Sequence, residues 1–439
     1  MINKKRDTKK DRVMEEQSDK TERLREVSRM VKPIISGLPE TLGGTNLQRQ
    51  MGELIDAQNE AWKLKLKKIY EEFIIEMKEL EASDIDLGGG GCDGKIWYRI
   101  HGFKNPIKTE HTLSKKETDI LLLNLLVPYQ RKKLFSRQNF DFSYTIKQED
   151  GLDQRFRADM YYDMEHLAMN MRRIDNEIRP FKDLELHPEV AKALSLKYFQ
   201  YGLTLITGIT GSGKSSTLDT IVDANNRSME AHVVIIASPV ELVHEPIRSI
   251  IRHREVGRDV PSFKEGAIQA LRQDPDIIII GELRDPDTIM TALEITDSGH
   301  KTYGTLHTSS AMESIDRIIG EVPVAEQERI RMRLADVLTC VISQKLVPSL
   351  DGKRVLAKEV LLATPSVKAA IRNNNIGEIY QMLMEGGSQG MHTLEQNLKL
   401  LYDRGEISRE VALNQSNNKK RMIKLLDPTA VDKLNTMVG

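Results

Sequence analysis

A chain of 439 residues is longer than one ordinary domain and calls for two or three. Its formal net charge is −1 with 29% charged residues, so opposite signs cancel and no overall field draws it to nucleic acid or anionic lipid. Two distant cysteines, Cys92 and Cys340, argue against a zinc knuckle and a disulfide scaffold and fit a reducing, cytoplasmic compartment.

Residues 1 to about 35 are dominated by Lys, Arg, Glu and Asp and read as disordered or as a frayed, solvent-exposed helix. The basic amino terminus leads into no apolar stretch, so it does not read as a signal peptide. Residues 54–80 carry Trp62, Leu66, Ile69 and Phe73 at helical spacing. Together these make residues 1–81 a charged N-terminal extension, disordered or helical.

From about Asp84 the texture changes. Residues 95–101, 139–146 and 155–163 alternate as half-buried strands do, and 114–135 is helix-like. This predicts a small α+β domain over 82–178. Pro180 and Pro188 mark a linker at 179–188, and 184–199 reads as a helix. Residues 203–207 form a buried strand, 208–213 a loop and 214–225 a helix. Further strands follow at 233–236 and 277–280. That alternation predicts an α/β core over 189–362 with a mainly parallel sheet. The pattern turns helical after about Val324 and stays so to the end, with 363–439 a helical C-terminal region. The longest apolar runs, at 121–127 and 277–280, are too short to span a bilayer.

Four segments carry chemistry. Gly208-Ile-Thr-Gly-Ser-Gly-Lys214-Ser215 matches GxxxxGK[ST] in full, after an apolar strand and before a helix. Glycines let backbone N–H groups cradle phosphate oxygens, and the helix start adds its positive end. Lys214 supplies a charge to the β/γ-phosphates and the Ser215 hydroxyl a ligand to Mg²⁺. Gly208, Thr210, Gly211, Ser212, Gly213, Lys214, Ser215 and Ser216 are the candidate ATP-binding residues.

Four isoleucines at 277–280 make a fully buried strand that delivers Glu282 at its carboxyl end, where α/β sites lie. Glu282 is placed to orient and deprotonate an attacking water. Asp285 suits an N-cap and Pro286 the first helical position, so 286–298 should be a helix. His300 and His307 flank a strand-then-loop segment. They either contact the γ-phosphate or its product, or satisfy polar groups near a strand end. Glu241 follows a strand and Pro239. It either binds Mg²⁺ through water or assists the base, or lies exposed on a connection.

These boxes, in this order and spacing, resemble the type II/IV secretion and pilus ATPases, and the likeness covers about 84–410. Within that family it is similar to the pilus-retraction branch at Val322-Pro323 and at residues 341–346, 385–394 and 400–408. The resemblance implies a PAS-like N-terminal domain joined to a RecA-like ATPase domain. It implies that Lys214 and Ser215 bind ATP and Mg²⁺, that Glu282 is the base, that Glu241 is the last acid of the Asp box and that His300 and His307 are the His-box histidines. Arg155, Arg157 and Arg172 fall where the family places arginines that reach a neighbour's phosphates across a hexameric ring; surface arginine is the plainer alternative. The implied assembly is a homohexamer at the inner face of the inner membrane, acting on a platform protein and not on nucleic acid.

The chain departs from the family at three points. Ala237 and Ser238 occupy an acidic pair of the Asp box, 364–373 only partly resembles the retraction branch's AIRNLIRE motif, and the N-terminal extension is long. The four-cysteine zinc motif of the extension and type II secretion branches is absent. The expected activity is therefore that of an ATPase motor retracting a type IV pilus. A conjugation or secretion ATPase is the alternative, and a nucleotide-gated regulator with little turnover a third.

Overall fold

The computed structural model describes residues 2–147, 153–174 and 177–427. It divides between Asn176 and Glu177 into two compact units. The first contains helices α1 (Ile2–Ser36), α2 (Gly44–Asp56) and α3 (Glu60–Glu79), then strands β1 (Ala82–Gly88), β2 (Trp97–Ile100) and β3 (Phe103–Pro106). Helices α4 (Lys115–Asn124) and α5 (Pro128–Arg137) and strands β4 (Asn139–Lys147), β5 (Asp153–Asp163) and β6 (His166–Arg173) complete it.

The amino terminus takes the helical alternative, as α1, and the expectation that it is solvent-exposed is corrected for the part whose side chains are described. Among the described side chains of α1, Leu24, Val27, Val31 and Ile34 are buried, in one core with Tyr70 and Phe73 of α3 and Ile120 and Leu121 of α4. Their spacing of three or four puts them on one face of the helix. The expected helix over 114–135 is two helices. Ser114 opens α4 with a capping box, its side chain accepting from Glu117 N while the Glu117 carboxylate accepts from Ser114 N. Pro128 then starts α5, because proline suits a first turn and not a helix interior. The sheet is antiparallel, in the order β3-β2-β1-β6-β5-β4.

The second unit opens with a single turn at Phe181–Leu184 and helix α6 (Pro188–Leu194), so the expected helix over 184–199 is much shorter. Strand β7 (Gly202–Thr207), helix α7 (Lys214–Ser228), strands β8 (His232–Ala237) and β9 (Ile250–Glu255) and helix α8 (Phe263–Ala270) follow. Next come β10 (Ile277–Ile280), α9 (Pro286–Asp297), β11 (Lys301–Leu306), α10 (Ala311–Gly320) and α11 (Val324–Val337). Asp285 caps α9 by accepting from Thr288 N at 2.9 Å.

The expectation of unbroken helix after Val324 is overturned by β12 (Leu338–Pro348) and β13 (Arg354–Leu362). Helices α12 (Pro365–Arg372), α13 (Ile379–Glu385), α14 (Leu394–Asp403), α15 (Arg409–Gln415) and α16 (Lys419–Leu426) come after them. The sheet order is β13-β12-β7-β11-β10-β8-β9, with every pairing parallel except the antiparallel edge strand β13.

Register decides where the chemistry falls. Ile280 of β10 lies beside Gly304 of β11 and Ile236 of β8, and Leu306 beside Thr207 of β7. Residues 208–213, 238–241, 281–282 and 307 therefore all emerge from one edge of the sheet, the carboxyl edge. Among the described residues no helix is long and apolar enough to cross a membrane.

Candidate functional site

The loop between β7 and α7 depends on backbone that only glycine supplies easily. Gly208, at φ +150°, leaves no room for a Cβ, which would lie 2.4 Å from both the Gln344 carbonyl oxygen and Ser212 Oγ. Gly211 and Gly213 have φ of +78° and +90°. From β12, Gln344 Nε2 donates to the Ser212 carbonyl at 2.8 Å and holds the loop from below. Ser212 is buried, whereas Thr210, Gly211, Ser215 and Ser216 are exposed around the first turn of α7.

Lys214 Nζ folds across the loop and donates to the carbonyls of Gly208 at 2.8 Å and Ile209 at 3.2 Å. Burial lowers its pKa, and the carboxylates of Glu282 and Glu241 oppose that shift. Both acids therefore act on the charge of Lys214.

Glu282 is presented by its neighbours. Gly281 N donates to the Ile236 carbonyl at 2.8 Å and Leu283 N to the Thr305 carbonyl at 2.9 Å, one bond to each flanking strand. Between these anchors the Glu282 side chain projects from the sheet edge. Its Oε1 lies 3.5 Å from His307 Nε2. Burial lowers the His307 pKa, with Lys214, Arg317 and Arg284 adding to the effect and Glu282 opposing it. The neutral imidazole is thus favoured beside the carboxylate, and one ring nitrogen can donate while the other accepts.

Glu241 is half-buried in the segment after the Ser238–Pro239 peptide, which is cis. Bonds on both sides of it fix this segment. Val240 N donates to Glu255 Oε2 at 3.1 Å, and His244 N donates to His253 Nε2 at 3.0 Å. His244 Nε2 meets Asp219 Oδ1 of α7 at 3.1 Å, and burial raises the Asp219 pKa.

Of the sequence-derived residues in this unit, His300 does not join the group. His300 precedes β11 while His307 follows it, so at about 3.3 Å per residue the two stand about 20 Å apart, at opposite edges of the sheet. His300 Nδ1 lies against Ser298 Oγ at 3.0 Å and the Ile295 carbonyl at 3.3 Å. Within this chain it takes the strand-end role, and its assignment as a catalytic residue is corrected.

Arg155, Arg157 and Arg172 lie in the first unit. Arg157 pairs directly with Arg172 across β5 and β6, and Arg155 shares their face two residues along. Arg172 Nε contacts Asp84 Oδ1 at 2.9 Å and Arg157 Nη2 contacts Asp141 Oδ1 at 3.8 Å.

Sequence reading missed Asp219, His253, Glu255 and Gln344. Each supports the site from an element other than the segment it holds and carries no local motif. Gln344 lies in a segment already singled out for its resemblance, which was the one available signal.

The family model for the Type II/IV secretion system protein matches residues 63–424. The type IV pilus retraction ATPase PilT of Pseudomonas aeruginosa is 38% identical over 300 residues, covering 68% of this chain and 85% of that one. The type IV pilus ATPase PilU of the same organism is 32% identical over 372 residues, covering 84% and 94%. A crystal structure of the pilus retraction motor PilT with bound ADP superposes with a TM-score of 0.70 at 35% identity, covering 80% of this chain and 97% of that one.

Proposed function

The chain belongs to the Type II/IV secretion system protein family and is an ATPase, and from that premise we propose that its ATP hydrolysis drives retraction of a type IV pilus. The observation that carries the reading is the meeting of Glu282 and His307 beside Lys214 at one sheet edge. Likeness to retraction ATPases supports the choice of machine.

ATP is the substrate. The loop amides and Lys214 receive its phosphates, and Lys214 exchanges the carbonyls of Gly208 and Ile209 for phosphate oxygens. Glu282 orients water and takes its proton, and neutral His307 hydrogen-bonds the γ-phosphate or its product. The donor set suits Mg²⁺: an exposed hydroxyl at Ser215 and a carboxylate at Glu241, hard oxygens of the kind that ion takes. When bound, Mg²⁺ supplies charge stabilisation to the phosphates.

The working unit is a homohexamer in which Arg155, Arg157 and Arg172 act on a neighbour's phosphates. It works in the cytoplasm at the inner membrane, against a platform protein. ATP closes adjacent subunits, hydrolysis loosens them, and successive domain motions act on the platform.

The test has two readouts. Purified protein should release phosphate in a hexamer-sized fraction. Deleting the gene should abolish pilus retraction while pili still extend. Intact retraction with a secretion or conjugation defect moves the ATPase to another machine. A hexamer without turnover moves it to regulation.

A further inference from the structure

Gln344 and Lys345 are neighbours on β12, and alternation sends their side chains to opposite faces of the sheet. Gln344 supports the phosphate-binding loop through Ser212. Lys345 reaches the other way, donating from Nζ to the Gln415 carbonyl at 2.9 Å and to Asn417 Oδ1 at 2.8 Å. These acceptors are the last carbonyl of α15 and a side chain of the turn between α15 and α16. Asn417 then passes the connection on, its Nδ2 donating to the Ser309 carbonyl at 2.9 Å. Ser309 is two residues from His307.

Asn417 is a surface side chain held at both ends, and this arrangement settles the sense of its amide. Its oxygen faces an ammonium, which only donates, so its nitrogen must face Ser309. The turn is itself anchored, because Asn418 N donates to Glu395 Oε1 at 2.8 Å and Glu395 is buried. The His307 loop is fixed from its other end by buried Glu359, which accepts from Ala311 N at 2.8 Å. Between these anchors Ser309 N donates to Glu313 Oε2 at 2.7 Å, and among the described residues the Ser309 carbonyl is held by Asn417 of the turn.

We propose that Asn417, oriented by Lys345, is a positioning residue for His307, so that the turn between α15 and α16 couples the C-terminal helices to ATP hydrolysis. The proposal rests on the ATPase reading of the site. Coupling of this kind is reciprocal for binding. Whatever displaces the turn loosens the His307 loop, and nucleotide that orders the loop orders the turn.

The test is a double-mutant cycle on the purified full chain. Asn417→Asp keeps the shape and the acceptor for Lys345 but cannot donate to Ser309. It should lower kcat about ten- to a hundredfold, the scale on which misplacement of a catalytic group acts, and leave the KM for ATP within about twofold. In a His307→Ala background the same change should lower single-turnover hydrolysis no further, since its effect runs through His307. An unchanged kcat in Asn417→Asp, or an equal fall in both backgrounds, overturns the proposal. If the wild-type chain releases no phosphate, the ATPase reading fails. The tether is then read from hydrogen exchange of the amides at 307–310, which Asn417→Asp should quicken, and unchanged exchange overturns it.

Discussion

Replacing Glu282 with Gln keeps the side chain's size and removes its negative charge. The backbone on either side is fixed by the bonds from Gly281 N to Ile236 and from Leu283 N to Thr305, so the amide should occupy the carboxylate's place. Two effects follow. A general base is lost, which costs about 10²–10⁴ in turnover, or about 3–5 kcal/mol of transition-state stabilisation. The Glu282 carboxylate is also one of two that offset the desolvation of Lys214, and only Glu241 then remains. That second effect is smaller for binding, because the γ-phosphate replaces the lost charge beside Lys214 and no longer faces a carboxylate. ATP affinity should therefore hold or rise while steady-state phosphate release falls. The assay pairs phosphate release with equilibrium binding of a fluorescent ATP analogue. Glu241→Gln is the comparison, since it removes the other carboxylate near Lys214 together with a proposed Mg²⁺ donor, so its loss should depend on Mg²⁺ concentration where that of Glu282→Gln does not. A kcat within tenfold of wild type refutes the assignment of Glu282, and a larger loss in Glu241→Gln moves the base to Glu241.

Three further outcomes are expected. Leu24→Ala should destabilise the first unit by about 2–5 kcal/mol in denaturant unfolding, as truncation at a fully buried position does; a change under about 0.5 kcal/mol would return α1 to the solvent. Lys301 is fully buried, donates to the Ala193 carbonyl at 2.8 Å and has its pKa lowered to about 8 by burial, which also pushes the neighbouring Cys340 thiol up to about 12. Above about pH 8 the folded chain sheds this proton while the unfolded chain keeps it to about 10.4, so Lys301 by itself adds at most about 3 kcal/mol of stability through that window, and Cys340 opposes it, because the unfolded chain ionises the thiol above about 8.5 while the folded chain keeps it protonated. Lys301→Met should remove the Lys301 contribution and leave stability falling above about pH 8.5 as Cys340 dictates, and parallel pH profiles for the two proteins would sink the argument. Mixing inactive Glu282→Gln subunits with inactive Arg172→Ala subunits should restore phosphate release if the arginine acts across a subunit boundary, and a mixture as inactive as its parts removes it from that role.

The elements legible in the sequence were those with a local signature. Four isoleucines ending at a glycine and an acid can hardly be other than a buried strand feeding a site, and β10 is that strand. β12 failed for the opposite reason. It is buried on both faces and shows no alternation, and it directly follows the strongly helical Val324–Val337, so periodicity carried the helix too far. In α1 the long run of charges hid Leu24, Val27, Val31 and Ile34, although their spacing was readable. His300 failed on geometry. Seven residues is close along a loop, but across a strand it is the full height of the sheet.

The site divides in the same way. Residues proposed to touch the nucleotide sit in motifs, because a phosphate-binding turn or a strand-end acid requires particular residue types at adjacent positions. Residues that hold them in place are chosen by tertiary pairing, such as Gln344 with Ser212 and Asp219 with His244. The Asp box shows what this means for function. Ala237 and Ser238 carry no charge, yet the segment is not slack. Glu255 accepts from Val240 N on one side of Glu241, and His253 and Asp219 hold His244 on the other. Glu241 is the carboxylate of this segment whose charge reaches Lys214. Loss of the acidic pair therefore removes charge from the site without removing the framework that places its last acid. Restoring acids at 237 and 238 should alter the charge that Lys214 and the phosphates experience and leave the position of Glu241 unchanged.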